Sequence, residues 1–204
     1  VIRAMAALGT TLFVTTGRGQ ADAELWRLTD VAIDRIAPGY AGLAPLDGMV
    51  VAGATADTSY LRLSPSSSDG SDKASAQYRD ADSEACTVQG AYAAAPLSSG
   101  GFVFSLKHVD KTGTPTGMLA VFSSGFAVAA RTWHRHAGGA GHLAVAGPYD
   151  WMEELRPGLV LGVRDSSSTI ERIDTSSIAP ESGNAPEPWG KTSGLSPKGL
   201  LRLR

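Results

Sequence analysis

A single cysteine, Cys86, in 204 residues leaves no internal disulfide to close and no four-cysteine metal site to build. No apolar run approaches the roughly 20 residues that carry a helix across a bilayer. Charge is close to balanced, with 18 basic and 20 acidic side chains and a net charge of −2. That argues against a dedicated nucleic-acid binder, because phosphate contacts call for concentrated Lys and Arg. Aromatic residues make up only 7% of the chain, so no aromatic groove for sugars or bases stands out. The one asparagine, Asn184, is followed by Ala185 and Pro186 and forms no glycosylation sequon. The chain opens on Val1 rather than Met, which fits processing of a precursor, loss of the initiator or a GTG start. Its opening, VIRAMAALGTTLFV, has neither a lysine-rich start nor a long apolar block, so no secretory signal is expected.

What is present is small and β-prone. Thirty Ala, 24 Gly and 21 Ser, with Arg outnumbering Lys by 13 to 5, is the bias of a GC-rich genome. At 43% hydrophobic and 19% charged, the composition is that of a globular protein with one domain or two small ones. Thr11 to Thr16 is rich in β-branched and aromatic residues and ends at the turn Gly17-Arg18-Gly19. Glu24 to Thr29 alternates apolar and polar side chains, as a half-buried strand does. Gly48 to Gly53 and Ser59 to Leu63 repeat the signal. A polar stretch from Ser64 to Asp82 is too long for a simple hairpin.

The clearest region runs from Gly100 to Ala146. Phe102, Phe104 and Leu106 fall on one face of a strand, with Val103, Ser105 and Lys107 on the other. Further strands are expected at Met118 to Phe122, Phe126 to Trp133 and His142 to Ala146, joined by short turns as an antiparallel meander. Leu159 to Arg164 and Ser168 to Ile173 read as a hairpin. Helix is scarce: Tyr149 to Leu155 is expected to form one or two turns capped by Asp150, and Ala91 to Ala95 is helix-compatible.

The expected fold is therefore all-β, with antiparallel meander sheets packed as a sandwich or barrel and little helix. Propeller-like blades are the alternative, since Gly100 to Ala146 has the length of one four-stranded blade, on blade repeats of about 40–50 residues. Residues 1–178 read as one β-rich body, with a polar surface loop at about 64–85. Residues 179–204 read as a Pro/Gly/Ser-rich arm that ends in a strand-like Leu200-Leu201-Arg202-Leu203-Arg204.

Chemistry-bearing motifs are few. His134-Arg135-His136 places two imidazoles on one strand face, and His142 lies across a glycine-rich turn. Three imidazoles, with Asp150 as a further ligand, have the make-up of an open zinc site. The metallo-β-lactamase motif begins the same way but continues with Asp-His, where this chain has Ala137-Gly138. Structural or interface roles are thus the expectation for these histidines, and no metal or other cofactor is expected. Cys86 has no local histidine to activate it and reads as a free thiol. There is no nucleophile elbow, phosphate loop or dinucleotide fingerprint. Trp26 and Trp133 sit in strand patterns and read as core. Trp189, between Pro186, Glu187, Pro188 and Gly190, reads as an apolar anchor on the arm.

Three function classes follow. The leading expectation is a non-enzymatic structural protein, a capsid or tail component of a virion. Its loops and arm, through Pro186, Pro188, Trp189, Leu201 and Leu203, would bury surface on neighbouring protein subunits. No specific nucleic-acid or membrane partner is expected, and the expected location is the virion or the cytoplasm. The alternatives are a propeller-like binding module and a metal-dependent enzyme centred on His134, His136 and His142.

Overall fold

The computed structural model describes residues 1–57, 59–75, 87–109, 115–122, 144–145, 148–164, 169–175 and 187–191. The described elements are all strands, and they form four antiparallel sheets of four strands each. The first sheet holds β1 (Ile2–Leu8), β2 (Thr11–Thr16), β3 (Glu24–Leu28) and β4 (Ile33–Pro38). The second holds β5 (Tyr40–Leu46), β6 (Met49–Ala54), β7 (Ser59–Leu63) and β8 (Lys73–Ser75). The third holds β9 (Thr87–Pro96), β10 (Phe102–Val109), β11 (Pro115–Phe122) and β12 (Ala144–Val145). The fourth holds β13 (Trp151–Arg156), β14 (Leu159–Val163), β15 (Thr169–Asp174) and β16 (Glu187–Lys191). In every sheet the strands lie side by side in chain order.

The sheets stack face to face in sequence, and the first strands make the closest backbone approaches. β5 lies against β1 on one side and β9 on the other, and β9 lies against β13. None of the described sheets closes into a barrel. The sheet-on-sheet packing of a sandwich is repeated three times, an arrangement consistent with a sandwich or with propeller-like blades.

Each gap between sheets has its own core. Phe13, Leu25 and Ile36 of the first sheet meet Leu43, Val50, Leu61 and Leu63 of the second. Val51 and Tyr60 of the second meet Phe102, Phe104, Leu106 and Phe122 of the third. On the other face of the third sheet, Ala93, Ala95, Val103 and Leu119 meet Tyr149, Met152, Val160 and Ile173. The alternation read at Phe102 to Lys107 thus serves two cores at once, one on each face.

Small residues set the spacing. A Cβ on Gly42 would stand 2.7 Å from the carbonyl carbon of Ala93, and one on Gly53 would stand 2.6 Å from the Cβ of Ala91. Only glycine facing alanine lets β5 and β6 come this close to β9.

Several expectations need correction. Ala91 to Ala95, helix-compatible by composition, is the middle of the ten-residue strand β9. There the alternate alanines Ala91, Ala93 and Ala95 are buried. Tyr149 to Leu155 forms no helix: β13 starts at Trp151 and pairs with β14. Tyr149 itself is fully buried against the third sheet, where its amide donates to Ser105 Oγ at 2.6 Å. Its ring lies over Gly162, where an added Cβ would be 2.6 Å from Cδ1. The Arg164 guanidinium carbon sits 4.4 Å from the ring centroid. The hydroxyl donates to Glu171, which also pairs with Arg164 at 2.6 Å. Burial first, and then the Glu171 hydrogen bond, push the phenol far above its usual pKa.

Trp26, expected in the core, is instead half-buried on the outer face of the first sheet, with its Nε1 donating to Thr16 Oγ1 at 3.1 Å. β3 lies in a sheet that packs a neighbour on its Leu25 face only, so the Trp26 face has no sheet over it among the described residues. β8 falls inside the stretch read as polar loop, and β16 inside the stretch read as arm.

The second and third sheets depend on one aromatic stack. Phe102 and Phe122 are cross-strand partners whose rings lie 4.4 Å apart and within 10° of parallel, and Tyr60 meets Phe122 edge-on at 5.7 Å. Phe102→Ala is expected to cost about 3–5 kcal/mol, since it empties a fully buried site among rigid neighbours. Urea unfolding checks this, and a loss below about 1 kcal/mol would contradict the packing described.

Candidate functional site

Because the first strands of the sheets converge, side chains far apart in sequence meet where β1 and the start of β13 face each other. Between them is a cleft of about 350 Å³ lined by Val1, Ile2, Arg3, Gly17, Arg18, Asp150 and Trp151. Among the described residues the wall is two aliphatic side chains and an indole, and the charged side chains are two guanidiniums and one carboxylate.

Each charged side chain is placed by its backbone. Arg3 sits at the irregularity in the pairing of β1 with β2, between Ile2 and Ala4. In the amide orientation that satisfies both of its ends, Gln20 accepts from Arg3 Nη2 at 3.1 Å and donates to the Ala91 carbonyl at 3.0 Å. Gln20 thereby ties the β2–β3 loop and Arg3 to β9 of the third sheet. Arg3 Nε is buried and has no hydrogen-bond acceptor. Tyr92, also on β9, is half-buried close by. Burial raises its phenol pKa most and the Asp150 carboxylate adds to that, while Arg3 works in the opposite direction.

Arg18 is exposed at the mouth, on a loop with two constraints. Gly17 adopts φ +138°, and a Cβ there would strike the Asp22 carbonyl oxygen at 2.8 Å. Asp22 accepts from the amides of Arg18, at 2.9 Å to Oδ2, and Gly19, at 2.7 Å to Oδ1. Because its carboxylate is engaged by these backbone amides, Asp22 fixes the loop without using up the Arg18 guanidinium. On the opposite wall, the Asp150 amide donates to the Val163 carbonyl at 2.9 Å, which sets the start of β13.

A second cleft, of about 310 Å³, opens between the β5–β6 turn, the β9–β10 turn and β13, and Asp47, Glu153 and Glu154 lie along it. Buried Glu154 accepts from the Ser98 amide at 2.6 Å and the Gly158 amide at 3.2 Å. It works as a fastener between the third and fourth sheets.

Of the residues singled out from the sequence, Asp150 lines the first cleft. His134, His136 and His142 fall outside the described residues, as do Cys86, Trp133, Pro186, Leu201 and Leu203. Pro188 and Trp189 belong to β16, where Pro188 is exposed and opposite Glu171. Among the described residues no group of His, Cys, Asp and Glu is arranged to hold a metal ion. Nor is any described helix long and apolar enough to cross a membrane. Sequence reasoning missed the cleft as a site. Gly17-Arg18-Gly19 read only as a turn, and Asp150 only as a cap or metal ligand.

No protein-family model matches the chain, and no curated protein matches it in sequence. Among solved structures, dihydro-heme d1 dehydrogenase NirN, solved in complex with DHE, is 21% identical with a TM-score of 0.50. That match covers 94% of this chain and 38% of NirN, so the chain spans well under half of NirN's length. The likeness is one of fold. Apo AztD from Citrobacter koseri overlays more loosely, at 11% identity and a TM-score of 0.29, over 93% of this chain and 63% of AztD.

Acidification tests the loop. Hydrogen bonds from the Arg18 and Gly19 amides hold the Asp22 carboxyl below its ordinary value of 3.8. A group with a depressed folded pKa contributes its stabilisation above the unfolded value and loses it as pH falls through the folded value. The Arg18 and Gly19 amide resonances are therefore expected to titrate with a midpoint below 3.8. A midpoint at or above that value would contradict the loop geometry.

Proposed function

We propose that this chain is a ligand-binding module of propeller-like build, with the cleft between β1 and β13 as its binding site. One observation carries this reading. The cleft lies where the first strands of the first and fourth sheets face each other, and its lining combines an apolar wall with charged residues, of which Arg18 and Asp150 are held at the backbone by hydrogen bonds. Sites of this kind hold small molecules, with the apolar wall supplying affinity and a few placed polar groups supplying orientation. The cleft volume lies at the lower end of the usual range for such sites, about 300–1,000 Å³. The lining is suited to recognition, and binding rather than chemistry is the role assigned to it.

A thermal-shift screen of small aromatic compounds of each charge tests the reading. At least one class is expected to raise the melting temperature in a concentration-dependent way, and Trp151→Ala is expected to remove most of that rise. A shift that survives Trp151→Ala undiminished, or no shift with any class, would contradict the site.

Assembly with other protein subunits is a second reading, and a different surface favours it. On the outer face of the first sheet Met5, Val14 and Trp26 lie in one cross-strand row, and Leu12, Leu28 and Ile33 in the next. Met5 is 61% exposed and Ile33 is 72% exposed. Apolar side chains in such an array are characteristic of contact surfaces. The β-rich body, polar loops and arm behind the virion expectation suit many assemblies, and nothing in the described residues is particular to a virion. Light scattering on this reading gives a mass above the 21.1 kDa monomer that falls back on Met5→Lys/Ile33→Lys. A monomer at all concentrations would remove it.

A further inference from the structure

We infer that the β1–β13 cleft selects a small organic monoanion, a carboxylate on a flat apolar body, and this rests on the binding reading above. Three features of the cleft point to the charge of the ligand. Among the described residues its lining has two guanidiniums against one carboxylate, so an incoming anion meets a net positive wall there. The Arg3 guanidinium is only partly satisfied, because Nη2 donates to Gln20 while Nε has no acceptor. A carboxylate in the cleft supplies that acceptor after a turn of the side chain about its last bonds, in the paired geometry guanidinium favours. Arg18 is the second cation, presented at the mouth by a loop whose own acid, Asp22, is engaged with backbone amides.

The rest of the lining defines the remainder of the molecule. Trp151 offers an indole, and Val1 and Ile2 offer an aliphatic wall. A planar ring fits between them, with its carboxylate directed toward Arg3. The Asp150 carboxylate on the opposite wall sets an upper limit on ligand charge: a second negative group on the ligand would approach it. Monoanions are therefore favoured over dicarboxylates and phosphate dianions. Gln20 links this recognition to the frame, because it holds Arg3 and the β9 carbonyl of Ala91 together. The position of the first cation thus depends on the packing of the third sheet as well as the first.

The test uses the full chain and isothermal titration with four probes of one shape: 2-naphthoate, 2-naphthamide, 2-naphthylmethylammonium and 2,6-naphthalenedicarboxylate. 2-Naphthoate is expected to bind at least about tenfold more tightly than the amide, the size of one charge-assisted hydrogen bond. Arg3→Gln and Arg18→Gln are each expected to weaken naphthoate by about tenfold while leaving the amide within about twofold. Wild-type protein alone gives an independent readout should a variant fail to fold: added NaCl is expected to weaken naphthoate and not the amide. Amide or ammonium binding as tight as naphthoate would overturn the anion assignment and leave the binding reading standing. Dicarboxylate binding as tight as naphthoate would overturn the monoanion limit. Absence of binding by all four would overturn the inference and the binding reading together.

Discussion

The structure depends on how closely the first strands of neighbouring sheets approach one another. At β5 against β9 the separation leaves no room for a β-carbon: Gly42 faces the Ala93 backbone, and Gly53 on β6 faces Ala91. Glycine inside a strand costs backbone entropy and offers nothing to pack. Here that cost is offset by the burial it permits, because bringing the strands together lets Val51 and Tyr60 reach the Phe102, Phe104 and Phe122 group. Tyr149 over Gly162 repeats the arrangement between the third and fourth sheets, with an aromatic ring in place of backbone. Small residues at the close approaches let the large side chains beside them interlock.

The cleft follows from the same convergence. β1 and β13 start the first and fourth sheets, and they face each other across a gap lined with side chains from both. Arg3, Arg18, Gln20, Tyr92 and Asp150 come from four separate segments, and each is held by backbone hydrogen bonds or by a neighbouring sheet. A site built this way is rigid where it meets the frame. Its adaptable parts are the long side chains at the mouth, Arg18 above all.

Much of the fold was legible from pattern alone. β2 and β7 have the bounds that the sequence indicated, and the alternation at Phe102 to Lys107 sorted those residues onto the right faces, though the sequence did not show that each face packs in a core. All four first strands, β1, β5, β9 and β13, escaped notice, as did β4, β8 and β16. β5 reads Tyr-Ala-Gly-Leu-Ala-Pro-Leu and β9 is built around Ala91 to Ala95, compositions depleted in the β-branched residues by which strands are usually recognised. Those residues are there because the position demands small side chains, so the elements that matter most for packing had the weakest local signal. β13 was masked by an aspartate that resembles a helix cap and by two consecutive glutamates, one of which, Glu154, is buried as a fastener. The cleft left no local trace at all. Residues 3, 18, 20 and 150 form no motif, and only the stacking of the sheets brings them together.

Urea unfolding of Gly42→Ala beside Gly190→Ala tests the central claim most directly. Gly190 lies in β16 with nothing within 4 Å of an added Cβ, so it is a matched substitution without the close approach. The account predicts a loss of about 1–3 kcal/mol for Gly42→Ala, the usual cost of forcing an extra carbon into a packed interface. Gly190→Ala should stay within about 0.5 kcal/mol of the unaltered protein, as surface changes do. Equal stability of the two variants would mean that the second and third sheets do not meet at Gly42, and the frame described here, with the cleft it positions, would have to be redrawn.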